Sequence, residues 1–406
     1  MSIIKNLRKV MTGSVISQLI AISSLPIITK LYTPEDLGFY AICLSIVSIM
    51  GMVSSLRLER SLFSLHGSDG FNQRLSGAIS VSLLISILLA LIVFLLSIGG
   101  VIEISEYVSI YLLFWGWGTS LIQILVVSSS ATGDFSTVSR TSIMRSFSLF
   151  LLQVSLFFIF ESRIALIISG IISVFLCSII LMKKHFVLFK PVNAVKYIFD
   201  NWNDCINGFL QSFFSSVSNN ISILIISQLW GLKSAGIFLL ADKLVRIPIN
   251  LISNNLRPVV ANYYQKKENR NILSITKVSV ASALLSMLIT IFVIASIDRV
   301  VELFLDENWK DASSYIKIMV LIVIPNFISL PFQSYNVHYL KMKYTTIVEA
   351  LSLILKLFLF FLFFYQGYGL MGACIAIVVT YIFTGMLNIG ISIFNLKTKS
   401  RHLNEY

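Results

Sequence analysis

Apolar positions along this chain gather into twelve long runs. They lie at about 10–29, 37–56, 76–99, 108–130, 142–160, 164–182, 206–229, 235–256, 274–296, 312–334, 346–365 and 370–394. A helix needs roughly 20 mostly apolar residues to cross the hydrocarbon core of a bilayer. The pattern therefore predicts an all-α integral membrane protein with about 12 transmembrane helices. Connections are short, with none longer than about 25 residues. A soluble active site would have no extramembrane domain to occupy, so the chemistry is expected within the bilayer or at its faces.

The polar stretches alternate between rich and poor in Lys and Arg. Those sharing a side with the N-terminus hold 22 of the 31 basic residues, from Lys5, Arg8 and Lys9 through Lys183, Lys184, Lys190 and Lys196 to Lys397, Lys399 and Arg401. The opposite stretches hold Lys30, Arg163, Lys233, Arg299, Lys310 and Lys317. Basic loops stay in the cytoplasm, so both termini are expected there. Lys5, Arg8 and Lys9 before an apolar run resemble a signal peptide. The run has no clear small-residue cleavage site and ends in Pro26 and Lys30, so it reads as an uncleaved first span.

Composition agrees: 56% hydrophobic and 12% charged. Net charge is +12, spread over loops rather than gathered in one patch. Topology signalling and anionic lipid heads explain it, and nucleic acid is not an expected partner. Cys43, Cys177, Cys205 and Cys374 fall in or beside apolar runs without metal or disulfide spacing. The four histidines, His66, His185, His338 and His402, build no metal or triad motif, so neither a catalytic residue nor a metal site is expected. Gly367-Tyr368-Gly369-Leu370-Met371-Gly372 has dinucleotide-loop spacing but no preceding strand.

A weak repeat appears at an offset of 198: Leu31-Tyr32 and Gly38-Phe39-Tyr40 match Leu229-Trp230 and Gly236-Ile237-Phe238. Both copies bridge an odd and an even span in the same orientation. This predicts two pseudo-symmetric six-helix bundles, 1–196 and 197–406, about an axis along the membrane normal.

Charges inside spans are the candidate chemistry. Span 8 holds Asp242, Lys243 and Arg246 on overlapping faces, followed by Pro248. Each unpaired charge at that depth costs on the order of 3 kcal/mol, so these side chains must face protein or a wet cavity. An intrahelical Asp242–Arg246 pair would neutralise itself; a functional reading remains open beside it. Lys356 falls near the centre of span 11, with Glu349 two turns earlier. Arg57-Leu58-Glu59-Arg60 closes span 2, where a cytoplasmic anchor is the simple reading. The mid-span amides Gln18, Gln123, Gln153, Asn219, Asn220, Asn326 and Asn388 read first as inter-helix bonding groups; Gln18, Asn219, Asn220 and Asn326 would also suit sugar contacts. Pro325 and Pro331 should bend or break span 10.

Several stretches together resemble the bacterial O-antigen flippases (Wzx-type) of the multidrug/oligosaccharidyl-lipid/polysaccharide exporter superfamily. The most specific runs from Leu25-Pro26 through Thr29-Lys30-Leu31-Tyr32-Thr33-Pro34 to Gly38-Phe39-Tyr40-Ala41. Arg57-Leu58-Glu59, Gly236-Ile237-Phe238 with Ala241-Asp242-Lys243 and Pro248, and Gly369-Leu370-Met371-Gly372-Ala373 are similar to further family patterns. The chain departs from them in Asp242 beside the usual cation and in Ile237. The resemblance implies an inner-membrane flippase that turns an undecaprenyl-diphosphate-linked oligosaccharide from the cytoplasmic to the periplasmic leaflet by alternating access. Lys243, Arg246 and Lys356 would offset the diphosphate, while Arg57 and Arg60 would capture it. Asp242, Glu349 or Glu59 would carry a coupling H+ or Na+. No other cofactor is expected, and an O-antigen polymerase/chain-length complex would follow in the pathway. A multidrug exporter of the same fold should favour cavity carboxylates over cations. A membrane glycan polymerase should have a sizeable periplasmic loop. These are the competing classes.

Overall fold

The computed structural model describes residues 2–63, 70–100, 105–185, 192–263, 272–339 and 342–404. Lys190, Lys266, Lys267, Arg270, Lys341 and His66 lie outside the described residues. Regular structure within them is helical: α1 Ser2–Leu31, α2 Pro34–Ser54, α3 Gly70–Ile98, α4 Glu106–Ala131, α5 Phe135–Phe157, α6 Ser162–His185, α7 Ala194–Asp200, α8 Trp202–Tyr263, α9 Ile272–Phe304, α10 Ala312–Met319, α11 Val323–Tyr339, α12 Met342–Tyr365 and α13 Gly369–Asn404.

Ten helical stretches among the described residues are long and apolar enough to cross a membrane. One of them, Trp202–Ser253, has 52 residues. At 1.5 Å per residue this is more than twice a bilayer core. Gly231 divides it with a φ of 83°, which ends one helix and starts the next, so this stretch holds spans 7 and 8. The fifth expected span is α5, whose 23 residues would also reach across, but its first half is polar, with Arg140 and Arg145. The twelve expected spans thus all correspond to helix.

Local chemistry explains several helix ends. Thr33 caps α2 by accepting from the Asp36 backbone N–H at 3.2 Å, and Asp36 returns a bond to the Thr33 backbone, with Pro34 in the first turn. The motif Thr33-Pro34-Glu35-Asp36 is therefore a helix start. Span 10 breaks as expected: α10 stops at Met319, residues Val320–Ile322 form a 3-10 turn, and α11 begins two residues before Pro325. The proline ring cannot tolerate the carbonyl four residues back, which belongs to Leu321 in that turn.

The chain divides into two compact units, Met1–Leu224 and Ile225–Tyr406. In the first, α1 packs along α5, and α4 packs on α2, α3 and α6. Hydroxyl pairs join helices where no water competes: Ser86 to Ser54 at 2.9 Å and Ser142 to Ser17 at 3.1 Å. Tyr32, after α1, donates to the Gln153 carbonyl of α5 at 2.6 Å. In the second unit α9 packs on α11, and α13 packs on α11 and α12. Ser352 and Thr384 share a 2.7 Å bond between α12 and α13. Asn336 of α11 donates to the Asn388 carbonyl of α13 at 3.0 Å. Outward faces stay apolar: Leu83, Ile87, Leu88, Leu91, Ile92 and Leu95 of α3 are 41–58% exposed, as a lipid-facing helix requires.

Candidate functional site

The second unit gathers the span-8 charges with residues of α12 and α13. Helical spacing places Arg246 one turn beyond Asp242, and Arg246 Nε donates to Asp242 Oδ1. The self-neutralising pair expected from the spacing is therefore present. It is only part of the arrangement, because Arg246 Nη1 also donates to Tyr381 Oη of α13 at 2.7 Å. The guanidinium carbon lies 5.6 Å from the Tyr381 ring centroid. Two of the five guanidinium N–H groups are used in these bonds; both on Nη2 are outside them.

Lys356 of α12 is buried, 4% exposed, and the charges of Arg246, Asp242 and Glu349 all act on it. Lys243 follows Asp242 in sequence and shares its field. Asp242, Lys243, Arg246, Glu349 and Lys356 are thus one electrostatic group built by α8 and α12, with Tyr381 from α13. A low-dielectric site with more cations than carboxylates can hold an anion. Tyr381 was not legible in the sequence: it stands 135 residues from Arg246, and no local pattern pairs them.

The first unit holds the other expected cations at the end of α2. Leu56 and Arg57 both adopt left-handed backbone, with φ of 49° and 57°. Such geometry costs roughly 1–2 kcal/mol for each residue with a Cβ, so packing must hold it. Leu56, Leu58 and Leu62 supply that packing against Leu75, Leu121 and Ile124. The start of α8 also presses here: a Cβ on Gly208 would lie 1.9 Å from the Leu56 carbonyl oxygen. Only glycine allows this approach. Arg57 is half-buried and Arg60 exposed.

Between those cations Glu59 turns inward, 1% exposed, in a 3-10 turn Leu58–Phe63. Its Oε1 accepts from Gln123 Nε2 of α4 at 3.1 Å. Among the described residues Oε2 has no hydrogen-bond partner. Gln123 thus bonds between helical elements, as one reading of the amides expected. The link between Gln123 and Glu59 spans 64 residues, beyond the reach of any local sequence pattern. Nearby, Arg74 of α3 pairs with Asp204 of α8 at 2.8 Å and donates to Asn201 at 3.3 Å.

The expected sugar-contact amides are dispersed. Gln18 is half-buried on α1, and its Oε1 is buried without a hydrogen-bond partner among the described residues. Asn219 is exposed on α8, and Asn220 donates to the Ser216 carbonyl one turn earlier at 2.8 Å. Asn326 is half-buried beside Pro325. Among the described residues no group of His, Cys, Asp and Glu is placed to hold a metal ion.

Comparison with known proteins follows the same lines. The family model described as "Polysaccharide biosynthesis protein" matches residues 27–314, well over half of the chain. No curated protein matches the sequence. The fold is similar to the lipid II flippase MurJ in its inward closed conformation, with a TM-score of 0.74 at 14% identity, covering 97% of this chain and 87% of that one. It is similar to an inward-facing multidrug resistance MATE family transporter of the MOP superfamily, with a TM-score of 0.68 at 12% identity and 96% of each chain covered. A MOP superfamily transporter from Pyrococcus furiosus matches with a TM-score of 0.64 at 14% identity, covering 98% of this chain and 95% of that one. These likenesses establish the expected multi-helix fold, similar to the folds of those solved structures, and the family match establishes membership: the chain belongs to the polysaccharide biosynthesis protein family.

Proposed function

We propose that this protein is a flippase that carries an undecaprenyl-diphosphate-linked oligosaccharide, an O-antigen repeat unit, from the cytoplasmic to the periplasmic leaflet of a bacterial inner membrane. Both termini face the cytoplasm in this reading, as the 22 basic residues of one set of loops favour. The halves 1–196 and 197–406 alternate access. Transport moves cargo without changing a covalent bond, so no catalytic residue is assigned.

The observation that carries the reading is Lys356, a lysine 4% exposed in an apolar helix, grouped with Arg246 and Lys243. Membrane helices keep such costly residues where a charged ligand uses them. In this account Lys243, Arg246 and Lys356 balance the diphosphate, and Arg57 and Arg60 receive it at the cytoplasmic mouth. Gln18, Asn219, Asn220 and Asn326 contact sugar hydroxyls. Asp242 or Glu349 takes the coupling H+ or Na+. The translocated unit then passes to the polymerase and chain-length machinery.

Complementation tests the reading. The gene is expressed in a bacterium deleted for its own flippase and carrying the matching glycan cluster. Surface glycan is read by gel and lipid-linked intermediate by mass spectrometry. Flipping predicts restored surface glycan and a cleared single-repeat intermediate. Persistent intermediate with the protein fully inserted, together with resistance to exported drugs, would replace the reading with multidrug export.

A further inference from the structure

An isolated arginine in a membrane helix is costly, so the empty carrier must neutralise Arg246. The protein supplies an anion for this from its own helix, Asp242, one turn away on Nε. Tyr381 holds the other side of the guanidinium from α13, by its hydroxyl at 2.7 Å and its ring at 5.6 Å. The two contacts differ in kind. Asp242 is a carboxylate, chemically a competitor of phosphate for the same fork. Tyr381 is neutral and does not compete.

We infer that Asp242 is a built-in substitute for the cargo's diphosphate, occupying Arg246 in the empty protein and displaced by the diphosphate on binding, while Tyr381 keeps the guanidinium in register. The inference rests on the flippase reading and adds to it a ligand exchange on a single arginine. Side-chain exposures of 23% for Arg246 and 17% for Asp242 leave both within reach of an incoming anion. The N–H groups on Nη2 lie outside both bonds and present the first contact. After displacement Asp242 is not stranded, because Lys243 on its own helix and Lys356 on α12 share its field. Among the described residues the other ionisable groups that face this cluster are Glu349 on α12, Cys374 on α13 and Arg257 of α8, whose charge acts with Tyr381.

The exchange solves a release problem. Three cations in a low-dielectric site would hold a diphosphate too tightly to let it leave. Transport needs binding firm enough to load and weak enough to unload. A returning carboxylate lowers the net gain on loading and favours departure of the cargo.

The signs of two isosteric substitutions test this. Full-length protein in detergent is titrated with farnesyl diphosphate by calorimetry, and export is followed in the complemented strain. Asp242→Asn removes the competing charge, so affinity should rise about tenfold while export slows. Tyr381→Phe keeps the ring but removes one bond to a charged group, so affinity should fall about tenfold. A merely structural role would weaken binding in both variants. Weaker binding in Asp242→Asn, or unchanged binding in Tyr381→Phe, with wild type still binding, overturns the inference and leaves the flippase reading intact. Absence of farnesyl diphosphate binding to wild type also overturns the inference, while the flippase reading stands or falls on the complementation.

Discussion

Glu59 in the first unit and Asp242 in the second are both carboxylates beside arginines, yet their surroundings differ in kind. Glu59 lies in a 3-10 turn after two left-handed residues, sealed at 1% exposure, and one of its oxygens is held by an amide from α4. Backbone geometry and core packing fix its place. Asp242 lies in the body of a helix, 17% exposed in its side chain, with an arginine as partner. Its place depends on side chains alone. A carboxylate fixed by backbone belongs to a structural joint, whereas one held by a charged side chain can exchange that partner for a ligand. The difference predicts that substitutions at the Glu59 contact act mainly on stability and those around Asp242 mainly on transport.

Gly208→Val gives the largest expected effect. Its Cβ would meet the Leu56 carbonyl at 1.9 Å, backbone against helix, where nothing flexible can yield. A loss of about 3 kcal/mol or more is expected, measured as a fall in the thermal midpoint of detergent-purified protein. Gln123→Leu comes next: it removes the amide on Glu59 and leaves a sealed carboxylate without that bond. About 2 kcal/mol should be lost, with export per folded molecule little changed.

Lys356→Met reverses the pattern. Removing this charge from the cluster should lower export more than tenfold, with the thermal midpoint moved less than in Gly208→Val. Loss of stability without loss of export would place Lys356 with the structural cluster. Arg57→Gly is the smallest: glycine relaxes the left-handed residue at φ 57° and should raise stability by about 1 kcal/mol or less, offset by any lost side-chain contact. Slower export in this variant would separate capture at the mouth from the joint beneath it.

Hydrophobic runs and prolines made the helices legible. Spans 7 and 8 were separable as the apolar runs 206–229 and 235–256, which the structure divides at Gly231, and the break in span 10 follows from Pro325. The Asp242–Arg246 pair was legible because helical spacing alone brings it together. What stayed hidden depends on distant chain. Tyr381 reaches Arg246 across 135 residues and Gln123 reaches Glu59 across 64. Gly208 meets Leu56 beside two non-glycine residues in left-handed backbone, which no composition rule foretells. Local periodicity reports which face a residue shares, but it cannot report which helix that face meets.

The most direct test is flipping in purified proteoliposomes. A fluorescent polyprenyl-diphosphate oligosaccharide is followed by its loss of protection from a membrane-impermeant quencher. Wild-type protein should equilibrate the lipid across the bilayer, and the triple variant Lys243→Gln, Arg246→Gln, Lys356→Gln should not, although it inserts and unfolds at a similar temperature. Equal flipping rates in the two would contradict the account.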